Sequence, residues 1–392
     1  MDADSRIRES FEVLDKALSN KERVIIAYSG GKDSTALALL FLQWIASRER
    51  SLDVVLLHGD TLSEIPEMES WARAFARRYV DALSKYGARG TFEVVKPEPW
   101  ETFYWRALVR GYPAPSFKWR WCVDTLKRRP SLRFFRNLGK DCVVLLGHRD
   151  SESRARAQAL SARTGSCPLA PGSCFAFYMS LDGSWEKVYP IRSWSEGDVW
   201  SYIGEWGREL GDILDKLYRL YCYGTIPARY GCWHCTLVKV QLGHVALGEK
   251  YVYFEAVRKL YRAVSDIPEL RVVKSSGYSR LGPLKAPARA LLLNSMLLAE
   301  ELSGIRLYGL DEAKVKGFSL REVFWEVPER EADRVIEDVE RSSGGNLQRV
   351  VSVQDLRNVR KYYKDFMKLR KHPLVKNDEH VKEILDRLSS KS

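Results

Sequence analysis

The residues best suited to chemistry fall into two groups. The first is Ser29-Gly30-Gly31-Lys32-Asp33-Ser34. Adjacent glycines allow positive φ and close backbone approach, so successive N–H groups can form a concave nest for an anion. A helix opening near Asp33 would add the positive end of its dipole, and Lys32 adds a full charge. Phosphate is the natural guest. The spacing is not that of a Walker loop, which needs four residues between its first glycine and Gly-Lys.

The second group is a set of thiols. Cys232-Trp233-His234-Cys235 is a C-x-x-C, with Cys222 and Cys122 upstream. Two thiolates three residues apart on one turn can chelate a metal or one edge of an iron–sulfur cluster. Two more, brought in by the fold, would complete four. Nearby Arg and Lys side chains favour the thiolate. The motif alone leaves zinc, a cluster and a redox disulfide open. Cys142 lies in an apolar run and reads as a buried, inert thiol. Cys167 and Cys174, in and beside the Gly/Pro/Ser-rich stretch 164–173, read as spare ligands, a sulfur relay or plain loop residues.

These groups need a scaffold. Val24-Ile25-Ile26-Ala27-Tyr28 is a β-branched run of strand length leading into the glycine pair, and Thr35 to Ile45 reads as the helix that follows. Val54 to His58, Phe92 to Val95 and Cys142 to Gly147 read as further strands, with a helix through Trp71, Phe75 and Tyr79 between them. Alternation of strands and helices predicts an α/β fold: a twisted, mostly parallel sheet with helices on both faces. Ligands of such sheets sit at the carboxyl ends of strands, so the loops after Tyr28, His58 and Leu146 are expected to converge on one crevice. Beyond about residue 245 the pattern turns helical, especially Ala286 to Leu302, with a possible strand at Glu322 to Val327 and a Ser342-Ser343-Gly344-Gly345 loop. We expect a nucleotide-binding and cluster domain at 1–245, a mostly helical accessory domain at 246–350 and a basic helical tail at 351–392.

The 392 residues suffice for two or three domains, and 45% hydrophobic content excludes wholesale disorder. Net charge is +12. Residues 103–165 carry fourteen Lys/Arg against four acids, a local excess that points to an anionic partner, either nucleotide phosphates or a nucleic-acid backbone. The first residues contain no apolar stretch and no uncharged run reaches the length of a bilayer span, so a cytoplasmic protein without membrane contact is expected.

Ser29 to Ser34 matches residue for residue the SGGKDS loop of the PP-loop ATP pyrophosphatase superfamily. Further segments resemble one branch of it, the phosphoadenylyl-sulfate (PAPS) reductases: His58-Gly59-Asp60-Thr61 with Ile65-Pro66-Glu67, Gly147-His148-Arg149-Asp150-Ser151-Glu152-Ser153-Arg154-Ala155-Arg156, and Tyr189-Pro190-Ile191 with Trp194 and Asp198-Val199-Trp200. Leu62 stands where that family has a turn glycine. Trp121-Cys122 with Leu126-Lys127, and Gly231-Cys232-Trp233 with Cys235-Thr236, is similar to its iron–sulfur members, most of all the DndC-type ATP pyrophosphatases of DNA phosphorothioation. Adenylyl-sulfate (APS) reductases have two adjacent cysteines here, and Trp121 stands at the partner position of Cys122. The resemblance implies nucleotide contacts from Ser29 to Ser34, Asp60, Thr61, Gly147, Arg149, Glu152 and Arg156, with Lys32 and Arg149 catalytic. It implies ATP (or APS/PAPS) as ligand, Mg²⁺ at Asp33 or Asp60, and a [4Fe-4S] cluster rather than zinc on Cys122, Cys232 and Cys235, with Cys222 the fourth ligand. Trp194 and Trp200 read as core packing.

Two reactions belong to such a scaffold. Reductases attack a sulfonucleotide with a cysteine on a carboxy-terminal tail, and this chain has no cysteine after Cys235. Pyrophosphatases let a substrate oxygen attack the α-phosphorus of ATP, after which sulfur displaces AMP. The expectation is therefore an iron–sulfur, DndC-like pyrophosphatase or adenylyltransferase passing sulfur, from a donor such as a cysteine desulfurase, to a phosphate- or nucleic-acid-linked oxygen. The alternatives are an APS/PAPS reductase with an external thiol donor, a tRNA-thiolating enzyme, and a nucleotide-binding module without turnover.

Overall fold

Apolar strand residues at every position, rather than every second one, demand cover on both faces of a sheet. The computed structural model describes residues 3–48, 50–138, 142–152, 157–158, 161–162, 179–182, 185–225, 228–273, 281–312, 314–315, 317–342, 352–358, 362 and 368–390. Among these the backbone packs into two compact units that interleave along the chain. One comprises residues 1–59, 66–95 and 131–223; the other comprises 60–65, 96–130 and 224–392.

The first unit holds six strands: β1 (Arg23–Tyr28), β2 (Asp53–Gly59), β3 (Arg89–Val95), β4 (Val143–Leu145), β5 (Met179–Asp182) and β6 (Trp185–Val188). Their order is β3-β2-β1-β4-β6-β5. Five run parallel, and β5 returns antiparallel along β6. The chain leaves β1 for β2 on one side and reaches β4 on the other, so the loops after β1 and β4 flank the point where strand order reverses. That is where open α/β sheets bind ligands. Ile25, Val55, Leu57 and Val144 form one core cluster with Cys142 and Phe135, while Val24, Ile26 and Leu56, one residue out of phase, are equally inaccessible. Cys142 is thus the buried thiol anticipated. Helices α1 (Ala3–Leu18), α2 (Lys32–Ala46), α3 (Pro66–Lys85), α4 (Arg129–Leu138), α5 (Glu196–Trp206) and α6 (Ile213–Leu220) accompany the sheet. Residues 34–42, Trp44 and Ile45 of α2 are all buried, which fixes the helix behind the glycine pair. Trp194 is core, its indole donating to Ser10 Oγ at 3.0 Å; Trp200 is half-buried and packs on Tyr218 and Tyr221.

The second unit contains α7 (Val252–Asp266), α8 (Ala286–Ser303), α9 (Leu320–Trp325), α10 (Glu329–Ser342) and α11 (Glu379–Ser390), with two short antiparallel strand pairs. Helices α7, α8 and α11 pack on one another. The strand expected at Glu322 to Val327 is instead helix α9 and its exit. Ser319 Oγ accepts from Glu322 N at 3.1 Å and the Glu322 carboxylate returns to Ser319 N. This reciprocal cap turns Val323 and Phe324 inward on a helix and leaves Trp325 exposed, overriding the strand preference of an apolar triplet. Most of the 342–345 loop lies outside the described residues. No helix among the described residues is long and apolar enough to cross a membrane.

Candidate functional site

The glycine pair links β1 to α2. Gly30 has φ +76°, and a Cβ there would stand 3.0 Å from Ala72 Cβ; its carbonyl accepts from the Trp71 indole at 2.7 Å. Glycine is thus required twice over, for the left-handed backbone and for the approach of α3. Gly31 is the N-cap of α2 and has no side chain to cap it, so apart from Lys32 N, which meets the Tyr221 hydroxyl, the helix's leading N–H groups are open to an external acceptor. Hydroxyls brace the turn: Ser29 N donates to Ser34 Oγ at 3.2 Å, and Ser34 Oγ donates to Gly31 O at 2.9 Å. Lys32 lies over the Tyr221 ring at 5.4 Å, between the carboxylates of Asp33 (3.7 Å) and Glu196 (3.4 Å). Tyr221 also accepts from Lys32 N at 3.4 Å. Tyr221 and Glu196 escaped sequence reasoning because they come from distant helices with no motif of their own.

The loop after β4 meets the same turn. A Cβ at Gly147 would stand 3.0 Å from Asp33 O, so only glycine lets the two backbones touch. Arg149 is 3% exposed and committed inward: Nε donates to Asp33 Oδ1 at 2.7 Å, and one terminal nitrogen donates to Ser151 Oγ at 2.6 Å and Trp194 O at 3.3 Å. It therefore holds the first turn of α2 through Asp33. Glu152 closes a 3₁₀ turn with Asp150, and the Asp150 carboxylate receives Arg192 Nε at 3.0 and 3.1 Å. Ser153, Arg154 and Arg156, together with Cys167 and Cys174, lie outside the described residues.

In the second unit the C-x-x-C forms a tight turn, with Cys235 N donating to Cys232 O at 3.0 Å. Trp233 N is fixed by Ser63 O at 2.9 Å, and Arg258 by Cys235 O at 3.2 Å. The Cys232 thiol meets Thr61 Oγ1 at 3.3 Å and donates to Glu64 Oε1 at 3.7 Å. Cys122 interacts electrostatically with Cys235, and the Lys127 ammonium with Cys122, Cys232, Cys235 and Glu64. Burial pushes the Cys122 and Cys232 thiols up, reinforced by Cys235 for the first and Glu64 for the second. Burial alone would lower Lys127, yet the surrounding sulfurs and Glu64 hold it raised. His234 is 1% exposed, stacks on Phe103 at 3.5 Å, and is kept neutral by burial at a pKa of about 3. Cys122, Cys232 and Cys235 thus share one neighbourhood with Lys127, a residue visible in sequence but given no role there. Cys222 belongs to the first unit, at a left-handed turn with Tyr223 (φ +50° and +51°). Among the described residues, no three His, Cys, Asp or Glu side chains converge as ligands of a single metal ion.

Asp60 and Thr61 also fall in the second unit. Asp60 Oδ1 accepts from Leu62 N at 2.8 Å and Oδ2 lies 3.8 Å from Lys96 Nζ. Leu62 adopts φ +59°, the conformation for which the PAPS reductases use glycine, and it does so with a buried side chain. The turn survives the substitution at some conformational cost.

A strand, a glycine-paired turn and an uncapped helix opening at a sheet's switch point define an α/β nucleotide-binding protein of the PP-loop kind. The match to known families agrees and is narrower. The chain belongs to the phosphoadenosine phosphosulfate reductase domain family, which matches residues 23–238, more than half of it. Among curated proteins it is similar to sulfate adenylyltransferase subunit 2 of Rhizobium etli, 28% identical over 204 residues, which are 50% of this chain and 58% of that protein. The same subunit of Streptomyces lavendulae is 28% identical over 266 residues, 66% of this chain and 74% of that one. The match spans less than two thirds of the Rhizobium relative's length. A crystal structure of PAPS reductase from Candida auris in a phosphate complex is 20% identical, covering 58% of this chain and 90% of that one at a TM-score of 0.35.

Proposed function

We propose that the chain binds ATP by its phosphates at Ser29 to Ser34 and transfers the adenylyl group to an oxyanion, releasing pyrophosphate. The observation that carries this reading is the uncapped opening of α2 beside Lys32: backbone donors and a cation aimed where charge builds on a leaving pyrophosphate. An acceptor oxygen would attack the α-phosphorus, the bond to the bridging oxygen of the β-phosphate would break, and the electron pair would leave on pyrophosphate. Mg²⁺ would enter with the nucleotide, and Asp33, braced by Arg149, is the loop's own carboxylate for it. The name of the relatives, a sulfate adenylyltransferase subunit, favours adenylyl transfer and suggests a partner subunit.

The same reading assigns Cys122, Cys232 and Cys235 to a [4Fe-4S] cluster. Zinc draws its thiolates to about 2.3 Å from one centre. What supports the cluster reading is that Cys122, Cys232 and Cys235 share one neighbourhood with the Lys127 ammonium. Such a group would supply sulfur or electrons to the activated acceptor. In the DndC-like form of this proposal the acceptor is nucleic acid and a cysteine desulfurase renews the sulfur.

The test is an anaerobic assay of pyrophosphate release from ATP across sulfate, single-stranded DNA, tRNA and APS. Release dependent on one acceptor, and lost in Lys32→Ala, supports the proposal. Sulfite formed from APS or PAPS without pyrophosphate would overturn it in favour of the reductase. Tight nucleotide binding with neither product would reduce the chain to a binding module.

A further inference from the structure

Residues 112–129 of the second unit build a surface that the nucleotide loop does not use. The chain there is held firmly. Tyr261 donates to Tyr112 O at 2.8 Å, Ala114 N to Ser265 Oγ at 2.8 Å, and Thr236 Oγ1 to Pro115 O at 2.7 Å. From this base a two-residue turn projects. Ser116 and Trp119 exchange both backbone hydrogen bonds, at 3.2 and 3.0 Å, which places Phe117 and Lys118 at its tip. Phe117 is 72% exposed and Trp119 47%. Phe117 at the tip turns most of its ring to solvent, while Trp119 rests one face on Tyr112.

Beside them lies a cleft of about 360 Å³, at the small end of the range for ligand pockets, ~300–1,000 Å³. Tyr112 and Trp119, with centroids 5.3 Å apart, form its aromatic wall, and Arg106, Lys118 and Arg120 also line it. Its one acid, Asp124, is already neutralised. A π-type turn over Asp124–Arg128 stacks residues five apart, so Arg129 reaches Asp124 at 2.7 Å while Arg128, four apart, reaches it at 2.5 Å. Arg106 and Arg120 instead lie over the Tyr112 and Phe117 rings, at 5.3 and 5.2 Å. Among the described residues Arg106, Lys118 and Arg120 have no carboxylate partner. The cleft combines flat apolar faces with uncompensated cations, and each excludes a class of ligand. The carboxylates of an acidic peptide answer the cations but not the flat ring faces, and a duplex keeps its base faces stacked on one another.

We propose that this cleft binds a single strand of nucleic acid, with one base stacked against the Tyr112–Trp119 wall and the flanking phosphates on Arg106, Lys118 and Arg120. This names the acceptor class that the proposed adenylyl transfer leaves open, and as an acceptor site it rests on that reading; as a binding site it does not. Phe117 offers a second ring for the neighbouring base.

The test is fluorescence anisotropy of a labelled ~12-nucleotide single strand, within the usual site size for such surfaces, against its own duplex, without ATP. The single strand should bind at least about tenfold tighter than the duplex. Trp119→Ala should weaken it about fivefold or more, the effect of losing one base–aromatic stack, while Trp119→Phe keeps most of the affinity. Lys118→Ala and Arg120→Ala should each lower the slope of log affinity against log salt by about one. Trp119 is half-exposed, so its variants should keep the parent melting temperature. Equal binding of single strand and duplex, unchanged in Trp119→Ala, would overturn the proposal and leave a mere polyanion surface. Lys32→Ala separates the two readings: strand binding should survive there even where pyrophosphate release is lost. Strand binding without adenylyl transfer in the parent protein would sink the proposed activity and leave this site standing.

Discussion

Replacing Arg149 by methionine tests whether this arginine supports the phosphate turn or touches phosphate itself. The guanidinium is 3% exposed and makes three charge-assisted bonds, to Asp33 Oδ1, Ser151 Oγ and Trp194 O. Removing one partner of a buried ion pair typically costs about 3–5 kcal/mol, because the other charge stays behind without compensation. For a unit of this size that lowers Tm by on the order of 10 °C. Asp33→Asn makes the converse defect, and the double variant removes both charges together. The two single costs should therefore exceed the double cost by about 2 kcal/mol or more in urea unfolding. ATP affinity, measured by titration calorimetry without Mg²⁺ so that Asp33's proposed contact with the ion does not enter, should fall in Arg149→Met and recover in part in the double variant, where the α2 opening is no longer pulled out of place. Additive stability costs, within about 0.5 kcal/mol, would refute the coupling. An ATP defect that Asp33→Asn does nothing to relieve would show that Arg149 works on the nucleotide directly.

Three further outcomes are expected. Gly304 ends α8 at φ +68° with open space where a Cβ would go, so Gly304→Ala should cost about 1 kcal/mol from backbone strain alone, read as a lower Tm with unchanged nucleotide binding. Burial would raise the Glu69 carboxyl, but its contact with His58 Nε2 at 3.0 Å and the charge of Arg73 outweigh that and hold it below the usual range. A depressed acid stabilises the fold above its unfolded pKa and loses that contribution as pH falls through its folded value, so Glu69→Gln should flatten the loss of stability below about pH 4.5 in urea titrations. Protein prepared anaerobically should be brown, absorbing broadly near ~400 nm, and bleached by Cys232→Ala; a colourless protein with one equivalent of zinc would refute the cluster.

Much of the first unit was legible because its signals are local. Val24 to Tyr28 is apolar at every position, which only a strand covered on both faces tolerates, and the glycine pair with the largely apolar stretch Thr35 to Ile45 after it fixes strand, turn and helix without outside help. Strands β6 and β5 gave no such signal: each is four residues of mixed polarity, and their pairing comes from the sheet they extend beyond β4. The α9 segment shows the opposite error, where an apolar triplet suggested a strand although Ser319 and Glu322 already spelled a helix cap.

Within the sites, sequence alone determined which groups are present: the loop's glycines, Lys32, the C-x-x-C and Cys122, each recognisable from its neighbours. Tertiary structure decided what those groups face. It turned Arg149 away from the solvent and onto Asp33, set Tyr221 and Glu196 around Lys32, and surrounded Lys127 with three thiols and Glu64. Such pairings join residues up to nearly two hundred positions apart. No local propensity encodes them, because they arise only when burial leaves a charge no other partner.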